Sequence, residues 1–241
     1  MPVNQQQQSY YPEAGRVAPE SVAVRAKFIE RTYLHLAGAI AAFVGLEYAF
    51  FQSETMIRFG ISMVTGSWWI VLLAFIAVSW IADYFARQQT SRPMQYLGLG
   101  LYVVAEAVIF LPMLMLAQAL SGPENPIIMT AGVSTLAIFA ALTGVVMITK
   151  KDFSWLRGAL ILASMVTLGL IVASLIFGFT LGLGFTVAMI FFAAAWILYD
   201  TSNVMRHYHP ESYVAASLAL FSSVALLFWY ILRFVMQMSR D

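Results

Sequence analysis

The chain has 241 residues, of which 61% are hydrophobic and 10% charged, against about a quarter charged in ordinary soluble domains, so the composition is one suited to lipid. A net charge of +1, with no basic stripe carrying interleaved aromatics, excludes a nucleic-acid partner. The lack of cysteine excludes disulfides and thiolate metal sites and leaves the compartment open.

The opening "MPVNQQQQSYYPEAGRVAPE" is polar, glutamine-rich and broken by proline. It has too little apolar surface to offset the entropy of ordering, so residues 1–25 are expected to form a disordered tail ahead of one membrane domain, 26–241. No basic start leads directly into a short apolar core with a small-residue cleavage site, so no secretory signal is read and the first apolar helix is expected to act as an uncleaved anchor.

Apolar segments follow at 32–51, 67–86, 96–118, 127–149, 155–177, 180–199 and 213–238. Each is long enough to span a bilayer. Their uninterrupted apolar runs lack the alternation of barrel strands, and in lipid only a helix satisfies its own backbone without closing a barrel. The fold class is therefore an all-α integral membrane protein with seven transmembrane helices. No internal repeat of the kind that marks many transporters is present.

The first segment carries His35, expected to make an interfacial hydrogen bond, and Glu47, expected to reach the interface at the far end. Its Gly38 and Ala42, four apart, suit close helix packing, as do Ala193 to Ala195 in the sixth. In the second, Asp83 and Arg87 share a helical face and should pair. The third holds Glu106 about ten residues in, near the bilayer midplane at 1.5 Å per residue. That acid is the most expensive in the chain: either a protonated group bonded to a neighbouring helix or a proton or cation site. Pro112 in the same segment is expected to kink it.

The sixth segment ends on Asp200, where a carboxylate would meet the negative end of the helix dipole. Either the helix continues into "TSNVMRHY", or Thr201, Ser202 and Asn203 cap a new one. Beyond it, His207, His209 and Glu211 alternate, which suits a solvated turn at Pro210, a weak metal site, or a pH-responsive loop.

Arg16, Arg25, Lys27, Arg31, Arg87, Arg92, Lys150, Lys151, Arg157 and Arg206 all fall on one side of the spans, and Arg58, Arg233 and Arg240 on the other. The positive-inside rule then predicts a cytoplasmic N-terminus and an external C-terminus.

The pieces "AEAVIFLPML", "ITKKDFSWLRGAL", "ILYDTSNV" and the terminal "ILRFVMQMSRD" resemble the Bax inhibitor motif family, and within it the bacterial YccA-like branch, over nearly the whole chain after residue 25. The resemblance implies a central seventh helix ringed by the other six, and a multi-pass protein of the bacterial inner (plasma) membrane. For some members it implies a pH-sensitive calcium leak, and for the YccA-like branch modulation of the membrane protease FtsH. In leak-forming members the acid ending the sixth helix shares a proton with an aspartate on the seventh. Asp200 matches the first acid by position. The second is missing, because no acid occurs from Ser212 through Ser239; its place falls at Phe221, Ser222 or Ser223, and either serine could donate to Asp200.

Two functions compete on these grounds. One is a pH-modulated cation leak with calcium as candidate ion, Asp200, Ser222 and Ser223 at the gate, Glu106 deeper along the path, and His207 and His209 as a pH-responsive loop. The other is a non-conducting protein that binds a membrane protease complex. An enzyme is not expected. An intramembrane aspartyl protease needs a second aspartate, a serine mechanism needs a base near its nucleophile, and no metal motif, phosphate loop or cofactor signature occurs.

Overall fold

A computed structural model describes residues 19–66, 68–88 and 91–239. The predicted tail lies outside the described residues as far as residue 18, while residues 19–25 already belong to the first helix. The helices are α1 (Pro19–Phe51), α2 (Glu54–Thr65), α3 (Trp68–Ala86), α4 (Arg92–Leu120), α5 (Ile127–Thr149), α6 (Leu156–Phe177), α7 (Leu183–Arg206) and α8 (Tyr213–Met238). Seven are long and apolar enough to cross a membrane: all but α2.

Local chemistry sets the breaks. Ser53 accepts the Met56 N–H at 3.4 Å and caps α2; Pro93 falls in the first turn of α4, where a missing N–H costs nothing. Gly178, at φ 71°, ends α6 in the left-handed conformation that a side chain resists, and its N–H bonds the Ser174 carbonyl. Lys150 closes α5 the same way at φ 50°. Pro112 lies inside α4, and the helix runs through it to Leu120.

The stretch between the first two spans, for which the sequence analysis gives no element, forms α2, a 12-residue amphipathic helix packed on α1, α3 and α4. Of the two alternatives at Asp200, the structure has the continuing helix: the sixth span runs past its apolar bound at residue 199 to Arg206, so Thr201, Ser202 and Asn203 are helix interior and cap nothing. A Cβ at Gly38 would meet no atom of a neighbouring helix within 4 Å, so that glycine is not what permits a close approach. That role belongs to Gly98 of α4: a Cβ there would lie 2.5 Å from the Ala82 carbonyl oxygen and 2.5 Å from the Ala86 nitrogen of α3.

α8 is the central element. It packs against α1, α3, α4, α5 and α7, and 72% of its most apolar window is buried. The ring has five members rather than six, because among the described residues α6 packs on α7 alone. Since lipid solvates apolar side chains as well as the core does, a helix needs no burial to be stable there.

Candidate functional site

On α7 the residues Ala193, Ile197, Asp200 and Val204 are all buried, spaced so that they form one helical stripe. On α8, Ala216, Leu220, Ser223 and Leu227 repeat that spacing and are also buried. The acid and the serine thus hold equivalent places on two packed helices, and Ser223 Oγ donates to Asp200 Oδ2. Ser222 lies on an adjacent face. It accepts a 2.8 Å bond from the Tyr102 hydroxyl of α4 and takes no part in holding Asp200. Of the two candidate donors, one serves the acid and the other ties α8 to α4.

Asp200 and Ser223 line a cleft of about 1340 Å³ between α3, α6, α7 and α8. It opens at the end where α7 meets the loop to α8, and His207 and His209 line it there. Asp83 and Arg87 lie on its α3 wall, joined at 2.6 Å as expected for that spacing. Tyr208 also lines it, and burial pushes its phenol up to about 12.

The α5–α6 loop is fastened over this end. Ser202 Oγ accepts the Phe153 N–H at 3.0 Å and donates to Asp152 Oδ1 at 3.3 Å, while Arg206 donates to the Lys150 carbonyl. The Ser154 N–H donates to Asp152 at 2.9 Å and holds that carboxyl below its usual range, with His207 adding to the effect. Arg25 of α1 donates to the Tyr208 carbonyl at 2.8 Å. Glu211 is engaged by Arg92, and its N–H donates to His209 Nδ1. His35 makes the interfacial bonds expected of it, to the Arg31 carbonyl at 2.7 Å and to Tyr96 at 3.0 Å.

Glu106 is buried on α4 one turn beyond Tyr102, but it does not line the cleft. One turn further toward the C-terminal end of α4 stands an aromatic layer: Phe110 stacks on Phe228 at 5.4 Å and meets Phe43 at 5.3 Å and Trp229 at 5.0 Å, both edge-on. Glu47 follows Phe43 by one turn, on the side of that layer away from Glu106. The expectation that it reaches the interface is corrected, since it is buried and neither carboxyl oxygen has a hydrogen-bond partner among the described residues. Its place on the stripe of Phe28, Thr32, Leu36, Ala39 and Phe43, all buried, was the signal available in the spacing.

Residues 25–240 match the profile of the family described as inhibitor of apoptosis-promoting Bax1. The chain is 28% identical over 222 residues to Bax inhibitor 1 of Schizosaccharomyces pombe, an alignment covering 90% of this chain and 79% of that protein. It is 25% identical over 226 residues to protein lifeguard 4 of Mus musculus, covering 91% and 88%. A shorter match, 33% over 103 residues, is to an uncharacterized protein of Pseudomonas aeruginosa and covers 42% of this chain and 46% of that one.

Proposed function

The chain belongs to the family of inhibitors of apoptosis-promoting Bax1, and from that premise we propose that it is a non-enzymatic membrane protein that leaks cations, calcium among them, under control of the Asp200–Ser223 contact. The observation that carries this reading is a buried carboxylate, held across two packed helices by one hydroxyl, at the wall of an open polar cleft. Intramembrane acids are retained where they act, because their charge is costly in lipid. In the closed bundle the aromatic layer of Phe43, Phe110 and Phe228 separates the level of Glu106 from that of Glu47, and conduction requires that layer to part. His207 and His209 flank the cleft and supply the response near neutral pH, in place of a shared-proton pair of carboxylates.

The decisive experiment is flux of calcium, potassium and protons into liposomes bearing the purified protein across a pH series. Asp200→Asn keeps the shape and removes the charge, so it should change cation flux while leaving the protein folded and inserted. Unaltered flux in that variant would leave Asp200 a structural group. The second reading would then lead: a non-conducting inner-membrane protein of the bacterial YccA-like branch that binds a membrane protease. The lack of any acid on α8 favours it, and copurification with the protease would establish it.

A further inference from the structure

The cleft beside Asp200 has a shape that conduction does not require. α3 packs on α2, α4 and α8, and α6 packs on α7 alone, so nothing within the described residues closes the space between α3 and α6. The cleft therefore opens sideways, toward lipid, as well as at its end. Along α7 it runs from His207 to Phe192, about 22 Å at 1.5 Å per residue, which matches one leaflet of a bilayer with its headgroup region. Its volume of about 1340 Å³ exceeds the roughly 300–1,000 Å³ of ordinary small-molecule pockets.

Its chemistry is graded along the same axis. The deep half is walled by Trp80, Ile161, Phe192, Trp196 and Leu226, with Ser79 and Ser164 among them. The outer half carries Arg157, His207 and His209, beside a loop with Lys150 and Lys151 that is fastened to α7. Asp83 is neutralised by Arg87, Asp200 keeps its charge deeper in the cleft with Ser223 as its donor, and Asp152 is the one acid of the loop that carries Lys150 and Lys151. Arg157 has no carboxylate partner among the described residues. With Arg157, Lys150 and Lys151 set against Asp152, the mouth is net cationic at the depth where a lipid headgroup lies, above a mixed slot of acyl-chain length whose wall away from Asp200 is mainly aromatic and aliphatic.

We propose that this groove holds one anionic phospholipid, its phosphate at Arg157, His207 and His209 and its acyl chains along Trp80, Ile161, Phe192 and Trp196. A guanidinium matches phosphate geometry through paired N–H donors, and basic groups at the membrane surface favour anionic over zwitterionic lipid. The lipid would cover the Asp200–Ser223 contact from the side, yet its binding does not depend on whether the bundle conducts.

The test uses the full chain in phosphatidylcholine bilayers doped with a small fraction of dibrominated phosphatidylglycerol, or of dibrominated phosphatidylcholine, and reads tryptophan fluorescence. The anionic quencher should be at least about twofold more effective at equal fraction. That excess should vanish in Arg157→Gln/His207→Gln/His209→Gln, persist in Arg157→Lys, and disappear with Trp80→Phe/Trp196→Phe. Equal quenching by the two lipids would overturn the proposal and leave a water-filled vestibule with ordinary boundary lipid. An excess that survives the triple substitution would overturn it too, since the anionic lipid would then be bound elsewhere.

Discussion

At Asp200 the outcome hangs on one hydroxyl. Leaving a buried polar group unpaired costs about 1–3 kcal/mol and more when that group is charged, so the loss of the donor to Asp200 should exceed the loss of the neutral Tyr102–Ser222 bond. Ser223→Ala should therefore loosen the α7–α8 contact and raise cation flux, while Ser222→Ala should lower thermal stability slightly and leave flux unchanged; liposome assays and melting curves of both variants separate the two. The acid itself was legible in the sequence because charge inside an apolar run is conspicuous, and helical spacing against Ala193, Ile197 and Val204 explains which serine it meets. Glu47 stands near a span's end, which favours the interface, but the helical face it occupies is the one that Phe43 and Ala39 bury. Asp152 is a second site where one proton matters. The Ser154 N–H favours its ionised form, so its contribution is full above the ordinary aspartate value of about 4 and is lost as pH falls through the lower folded value. Protection factors for the Phe153 and Ser154 amides should decline across that acid range, and Asp152→Asn should show low protection at every pH.

Among the elements, the α3–α4 hairpin is the tightest approach, and it rests on a residue with no side chain. Gly98→Ala would drive its Cβ into the α3 backbone at Ala82 and Ala86, which cannot yield as a flexible side chain would, so a loss of about 1–3 kcal/mol is expected. Gly100→Ala, two residues on, meets no atom within 4 Å and should melt like the parent; equal melting of both variants would remove the hairpin's dependence on Gly98. Span positions were readable because α5 and α8 coincide with unbroken apolar runs. α7 outran its apolar run because Thr201 and Ser202 are buried on the packed side, where polarity marks a lateral contact rather than a helix end. α2 escaped notice since 12 residues cannot span and its apolar positions are interleaved with Glu54 and Arg58, themselves an exposed ion pair at 3.1 Å.

For the molecule as a whole, composition announced the membrane but could not rank the helices by depth. α6 and α8 are both long apolar runs, yet 6% of one window is buried against 72% of the other, because in lipid the outermost helix can be as apolar as the innermost. Charge is the property that does order the bundle along its axis. Arg25, Lys27, Arg31, Arg87, Arg92, Lys150, Lys151, Arg157 and Arg206 all lie at the end where α1 begins, α3, α5 and α7 finish, and α4, α6 and α8 start. Arg58 and Arg233 lie toward the other, Arg233 donating to the Leu181 carbonyl at 2.6 Å. Several cations of the first end are bound to backbone carbonyls, as Arg25 is to Tyr208 and Arg206 to Lys150. A carbonyl partner leaves their positive charge intact, and short basic loops resist translocation whichever bonds they later form. The expected orientation is consequently N-terminus in the cytoplasm and C-terminus across the membrane. In a bacterial host, alkaline phosphatase fused after Asp241 should be active and a fluorescent protein fused there dark, with the reverse pattern for fusions in the Lys150–Lys151 loop. A bright fluorescent fusion at Asp241 would invert the bundle and place the Asp200 cleft on the outer face, where cytoplasmic pH and cytoplasmic-leaflet lipid could no longer reach it.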